Sequence, residues 1–226
     1  MFKIIYAEAR LPALSFVGFV RRWRLHAARA MEDSVFWDPM AVYLQNDAVL
    51  GIDGTDPYYD CVGELIYPTL AAVEASLATP GLDEILADGD GCFARTGQIH
   101  MVVEEHAVRT GNPGAFKVFV FAAAPSGTSR AAFVASWTDR VGTLLGGTGD
   151  FARLAQTVTI GSATALDTRY DLVADATFAT MVDARQGCAD WFGAMRADPL
   201  IVDHVAIAAR SYLMYDAQYT RGDEAA

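Results

Sequence analysis

Three of the four histidines stand where a proton could be moved. His26 follows Phe19 by seven residues and Trp23 by three, on or beside the apolar stripe of a helical repeat. There it reads equally as a buried, hydrogen-bonded core histidine and as a general acid or base, since an imidazole near pKa 6.5 suits proton transfer at neutral pH. His100, Glu104 and His106 occupy alternate positions of a strand-like segment and so share one face. They read as an acid/base array, or as an exposed strand face. Six strand residues separate the two histidines by roughly 20 Å, too far for one metal ion. Candidate substrate-binding groups are Trp23, Tyr43, Gln45, Glu64, Arg210 and Tyr212. Among these, Tyr43 or Arg210 would stabilise a developing enolate or phenolate, although Arg210 reads as readily as the partner of a carboxylate. The glycine-rich Gly146-Gly-Thr-Gly149 lacks the spacing of a nucleotide loop.

The elements that must position these groups are read from an internal repeat. Phe2-Lys3 recurs as Phe116-Lys117, Phe19 and Trp23 as Phe133 and Trp137, and Trp37 as Phe151, all at an offset of 114 residues. Tyr59-Asp60-Cys-Val62-Gly-Glu64 lines up with Tyr170-Asp171-Leu-Val173-Ala-Asp175 at an offset of 111, which places a short indel in a loop. Each copy reads β-α-β-β-α-β. In the first, strands are predicted over 2–9, 40–49, 59–67 and 98–109. Ser15 caps the first helix, and a second helical region over 69–87 is broken at Pro80-Gly81. The expected fold class is α+β, with two ferredoxin-like units over 1–110 and 116–220 and a turn-rich linker at 111–115. Tandem units of this kind can bury their open sheet faces against each other.

Strand alternation then sorts the faces. In the fourth strand Ile99, Met101 and Val103 are expected to pack under helices, and His100, Glu104 and His106 to look into a cavity between the sheets. Arg210 and Tyr212 join them from the second copy, as do Tyr43, Gln45 and Glu64 from the first.

Composition excludes several classes. Seventeen basic residues against 28 acidic ones give a net charge of −11, which a nucleic-acid backbone or an anionic membrane repels. Three separated cysteines form no C-x-x-C pair, so neither a disulfide framework nor a zinc site is indicated, and a reducing cytoplasm fits. No charge-free apolar run approaches the length needed to span a bilayer. The partner expected is a small molecule, with a homodimer as the conceivable assembly.

Leu14-Ser15-x-x-x-Phe19-x-x-x-Trp23-x-x-His26-Ala27, preceded by Lys3-Ile-Ile-Tyr6 and followed by Tyr59-Asp60-x-Val62-x-Glu64, resembles the EthD family of the dimeric α+β barrel superfamily. The second copy keeps Phe133, Trp137, Tyr170 and Asp171 but has Arg140 opposite His26, and Ala28 stands at the family's usual proline. The resemblance therefore implies at most one intact site, in a closed, pseudo-dimeric barrel around a ligand cavity. It also implies a cofactor-free lyase or isomerase of dehydratase, cyclase or decarboxylase type, acting on an aromatic or polyketide-like compound. A non-catalytic accessory protein that binds such a compound, and a haem enzyme with His26, His100 or His106 as axial ligand, are the alternatives.

Overall fold

Ser15 lies in extended backbone and its hydroxyl accepts the Gly18 amide at 3.1 Å, satisfying one of the free donors at the start of helix α1 (Phe16–Ala30). That helix buries Phe19, Trp23, Ala27 and Ala30 along one stripe. Thr69 caps α3 (Leu70–Leu77) in the same way through the Ala72 amide. The helical region breaks where Gly81 adopts φ 87°, a left-handed conformation that favours glycine, before α4 (Leu82–Gly89). In this computed structural model, which describes residues 1–32, 34–49, 51, 58–111, 114–145, 153–159, 169–197, 201 and 203–217, the remaining helices are α2 (Ser34–Trp37), α5 (Arg130–Leu145) and α6 (Met181–Ala197). The short α2 was not expected from the sequence. Residues 146–149 lie outside the described ones, as does the Arg140 side chain.

Among the described residues the strands are β1 (Phe2–Arg10), β2 (Val42–Ala48), β3 (Cys61–Tyr67), β4 (Phe93–Arg109), β5 (Phe116–Ala123), β6 (Arg153–Thr159), β7 (Leu172–Phe178) and β8 (Asp203–Asp216). They close an antiparallel barrel in the order β1-β3-β2-β8-β5-β7-β6-β4. Within it β1 lies between β3 and β4, β5 lies between β7 and β8, and the seams β2–β8 and β4–β6 join the two groups. Strand β4 begins at Phe93, five residues before the sequence expectation, and this brings Phe93 and Ala94 alongside Arg10 and Ala9 of β1. No helix among the described residues is long and apolar enough to cross a membrane.

On β2, β4 and β8 the two faces are the reverse of those expected, whereas on β3 Glu64 does enter the lumen. Ile99, Met101 and Val103 point into the lumen, with Ile5, Ala7, Val62, Phe119, Phe121, Val173, Val205 and Ile207. His100 and Val102 face outward, beneath the helices. Among the described residues these side chains are buried against one another, so the lumen is packed as a core, one of the two fillings open to an eight-stranded barrel.

The charges that do enter the lumen satisfy one another. Lys3 Nζ lies 2.9 Å from Glu64, pairs with Glu105, and is 3.8 Å from Asp175, while Lys117 pairs with Glu64 from the other side. Burial opposes ionisation of Glu64, but Lys117 and Lys3 outweigh it and hold the carboxyl well below the usual range. Burial pushes Asp175 up instead, against the pull of Lys3 and Lys117, in a cluster of two cations and three acids. Glu64 is thus an ion-pair centre closed off from any substrate, which corrects the binding role expected of it. Replacing Lys117 by Met is expected to cost about 3–5 kcal/mol, because it strips a buried carboxylate of one partner. Adding Glu64→Gln should recover part of that loss, and urea denaturation of the single and double variants checks both.

Candidate functional site

A cavity of about 390 Å³ lies between the outer face of the sheet and helices α1 to α4, a volume suited to a small organic ligand. Its floor is Ile4, Tyr6 and Glu8 of β1, Tyr43 of β2, Leu65 of β3 and His100 of β4. Its roof is His26, Ala27 and Ala30 of α1, Phe36 and Trp37 of α2, Leu77 of α3, and Leu82, Ile85 and Leu86 of α4. The space exists because α1 presents alanines there, after its bulky residues Phe19 and Trp23 have stacked on each other at 5.7 Å beside Phe93. Under α5 and α6 the corresponding outer face is filled by Phe133, Trp137, Phe178 and Trp191. All lining residues of the cavity fall between Ile4 and His100.

Two polar assemblies break its apolar wall. In the first, His100 Nε2 meets Glu8 Oε1 at 2.6 Å, with Glu8 buried and His100 partly open to the cavity. Against a carboxylate Nε2 is the donor of this contact, and in the tautomer that puts the hydrogen there Nδ1 is the acceptor. Glu8 Oε2 is buried without a hydrogen-bond partner among the described residues. In the second, the hydroxyls of Tyr6 and Tyr43 lie 2.8 Å apart; Trp23 Nε1 donates to Tyr6 at 3.2 Å and Gln45 Nε2 to Tyr43 at 2.8 Å. Burial pushes Tyr43 up to about 12 and Tyr6 well above its ordinary value, so both phenols keep their protons. Trp37 Nε1, also in the wall, has no hydrogen-bond partner among the described residues.

At the mouth His26 borders both this cavity and a polar outer depression of about 490 Å³ that includes Arg29, Glu32, Glu84 and Asp88. Its Nδ1 donates to Asp88 at 2.9 Å, and the same carboxylate receives Arg22 and Arg29. The Arg22 guanidinium, with lesser help from His26 and Arg29, holds Asp88 well below the usual carboxylate range. Burial lowers His26, and although Asp88 pulls the other way, Arg22 and Arg95 offset part of that attraction; the neutral imidazole is favoured.

The structure therefore brings His26, His100 and Tyr43 to one cavity, with Trp23 and Gln45 directly behind the tyrosines. It does not bring the others. Glu104 and His106 are exposed on the outer surface, 3.7 Å apart, because β4 runs past the end of the helical layer. Arg210 and Tyr212 stand near the β2–β8 seam, where Arg24 covers the Tyr212 ring at 4.8 Å while its guanidinium binds Asp47. Missed from the sequence were Tyr6, Glu8 and Asp88. The first two carried a signal: polar residues at alternate positions of an otherwise apolar strand. Asp88 carried none.

No family model matches the chain, that of the EthD family included, and no curated protein does. Solved structures share its fold. An anthrone oxidase-like protein is 11% identical over 95% of this chain and 94% of its own, with a TM-score of 0.59. A candidate monooxygenase from Lactobacillus acidophilus NCFM is 9% identical over 94% of both chains, with a TM-score of 0.53. A chlorite dismutase variant from Candidatus Nitrospira defluvii, in complex with cyanide, is 9% identical over 94% and 91%, also at 0.53. At such identities the likeness establishes a shared α+β barrel fold and nothing finer.

The His26 environment has a pH signature. A histidine whose pKa is lowered on folding binds fewer protons in the native state than in the unfolded one, so stability falls as pH drops below the unfolded value near 6.5. His26→Asn should flatten the decline of the urea midpoint between pH 7 and pH 5.5. Asp88, lowered on folding, contributes stability above the unfolded carboxyl pKa that is lost only at stronger acid. Asp88→Asn should therefore cost stability across neutral pH, and because it removes the group that holds the His26 pKa up, it should also steepen the decline between pH 7 and pH 5.5.

Proposed function

We propose that the chain is an enzyme of cofactor-independent acid–base chemistry, of lyase or isomerase type, acting on a small, largely apolar, oxygenated ring compound held between α1, α4 and the sheet. The observation that carries this reading is the His100–Glu8 pair at 2.6 Å on the floor of an otherwise apolar cavity. An imidazole oriented by a buried carboxylate presents Nδ1 as a base, and the carboxylate stabilises the imidazolium that forms. Proton removal next to a carbonyl, or from a phenol, leaves an enolate or phenolate in a site largely cleared of water. Return of the proton at another carbon is isomerisation; departure of a leaving group is elimination. The name anthrone oxidase-like, borne by a protein of the same fold, refers to a compound of this ring-shaped, oxygenated class.

His26 becomes a mouth residue in this reading, neutral and tied to Asp88, while His100 takes the role of base. The two-unit organisation, 1–110 and 116–220 as diverged copies, belongs to the same proposal: the first supplies the site, the second closes the barrel. A haem reading is not favoured by the residues. Arg95, the arginine in the cavity wall, is engaged by Asp90 and by the Leu86 carbonyl, and Arg22 and Arg29 by Asp88, so the propionates of a haem would meet no unengaged cation there among the described residues.

The test uses 2-tetralone as a model ketone, with exchange of its α-protons for solvent deuterium followed by NMR. The wild-type protein is expected to accelerate exchange, and His100→Gln to lower that acceleration by about 10²–10⁴, the usual cost of losing a positioned general base. Glu8→Gln should give a smaller loss. Undiminished exchange in a folded His100→Gln variant would refute the assignment.

A further inference from the structure

The hydrogen bonds around Tyr6 and Tyr43 fix a proton count. Arg24 only donates, so the Gln45 atom facing it is the carbonyl oxygen. The backbone carbonyl of Trp23 only accepts, so the atom facing it at 3.3 Å is the Gln45 nitrogen. That nitrogen is therefore a donor to Tyr43, as Trp23 Nε1 is to Tyr6. Each phenol oxygen already accepts one hydrogen bond from outside the pair. Only one of the two phenol protons can lie between the oxygens. The other has no acceptor in the network, and both rings line the cavity.

The pair is held for this arrangement. Tyr6 lies flat across Gly63, its neighbour on β3, where a Cβ would come within 2.0 Å of the ring carbon Cζ. Trp23, stacked on Phe19, and Gln45, clamped by Arg24, cannot turn away without losing their own packing. Whichever tyrosine donates within the pair, the other oxygen accepts twice and its own hydrogen is polarised as a donor.

We infer that Tyr6 and Tyr43 act as one shared donor of a single proton, which selects ligands carrying an accepting oxygen, a ketone carbonyl or the enolate derived from it. This deepens the proposed reading of the cavity as a substrate site and rests on it. The pair stands beside His100, whose ring centre is 5.9 Å from that of Tyr6, so an oxygen held by the tyrosines places the neighbouring carbon near the base. A developing negative charge on that oxygen strengthens the same hydrogen bond.

Calorimetry with 2-tetralone and with tetralin, its counterpart lacking the oxygen, reads the preference directly. The wild-type protein should bind the ketone about tenfold more tightly, the scale of one well-made hydrogen bond. Tyr6→Phe and Tyr43→Phe should each keep part of the preference, because each leaves a hydroxyl whose proton is still free, whereas the double variant should abolish it. The infrared carbonyl stretch of bound 2-tetralone should be lowered in the wild-type protein, a readout that needs no variant to fold. Equal affinity for the two probes, no measurable ketone binding, or an unshifted carbonyl would overturn the inference. So would a preference lost entirely in one single variant, or kept in a folded double variant. These readouts need no turnover: a ketone preference that survives alongside unimpaired exchange in His100→Gln removes the base and leaves the donor pair, and the opposite outcome does the reverse.

Discussion

Closure of the sheet gives every strand one face in a sealed lumen and one beneath the helices or in solvent, and the rest of the molecule follows from that division. The lumen can be sealed only if its charges are neutralised within it, since an isolated ion there would cost several kcal/mol. Lys3 and Lys117 come from strands 114 residues apart, yet both converge on Glu64, so the cluster ties the early strands to the late ones at the centre of the barrel. Once the lumen is core, a ligand space must lie outside the sheet. The alanines of α1 leave one.

Much of the local structure could be read from residue spacing. Ser15, Phe19, Trp23 and Ala27 define the first helix and its buried stripe, and Pro80-Gly81 marks the break between α3 and α4. The strands follow alternation, with the start of β4 as the main exception. What misled was the rule that polar residues gather toward a cavity. On β4 it sent His100 in the right direction relative to a site but placed that site in the lumen, and it grouped His100 with Glu104 and His106, which lie beyond the helical cover. Pairings such as Lys3 with Glu64 and His26 with Asp88 span about 60 residues, and a single sequence holds no sign of them.

The cavity is asymmetric for a packing reason. Both outer faces are covered by helices, but indoles and phenyl rings complete the filling under α5 and α6, whereas under α1 to α4 the space above Ala27 and Ala30 stays open and is closed by α4. The polar groups at its floor are hydrogen-bonded to one another rather than to solvent, which keeps their directions fixed in an apolar setting.

Strand β1 carries both demands at once. Lys3, Ile5 and Ala7 serve the lumen, while Ile4, Tyr6 and Glu8 serve the cavity. A strand that slips by one residue exchanges its faces, which would thrust Tyr6 and Glu8 into the core and turn Lys3 toward the apolar wall. Side chains along β1 can change one at a time, each at its own cost, but its length cannot: inserting or deleting a single codon between Phe2 and Ala7 would damage closure and site together. Sequence drift in this strand is therefore confined to replacement.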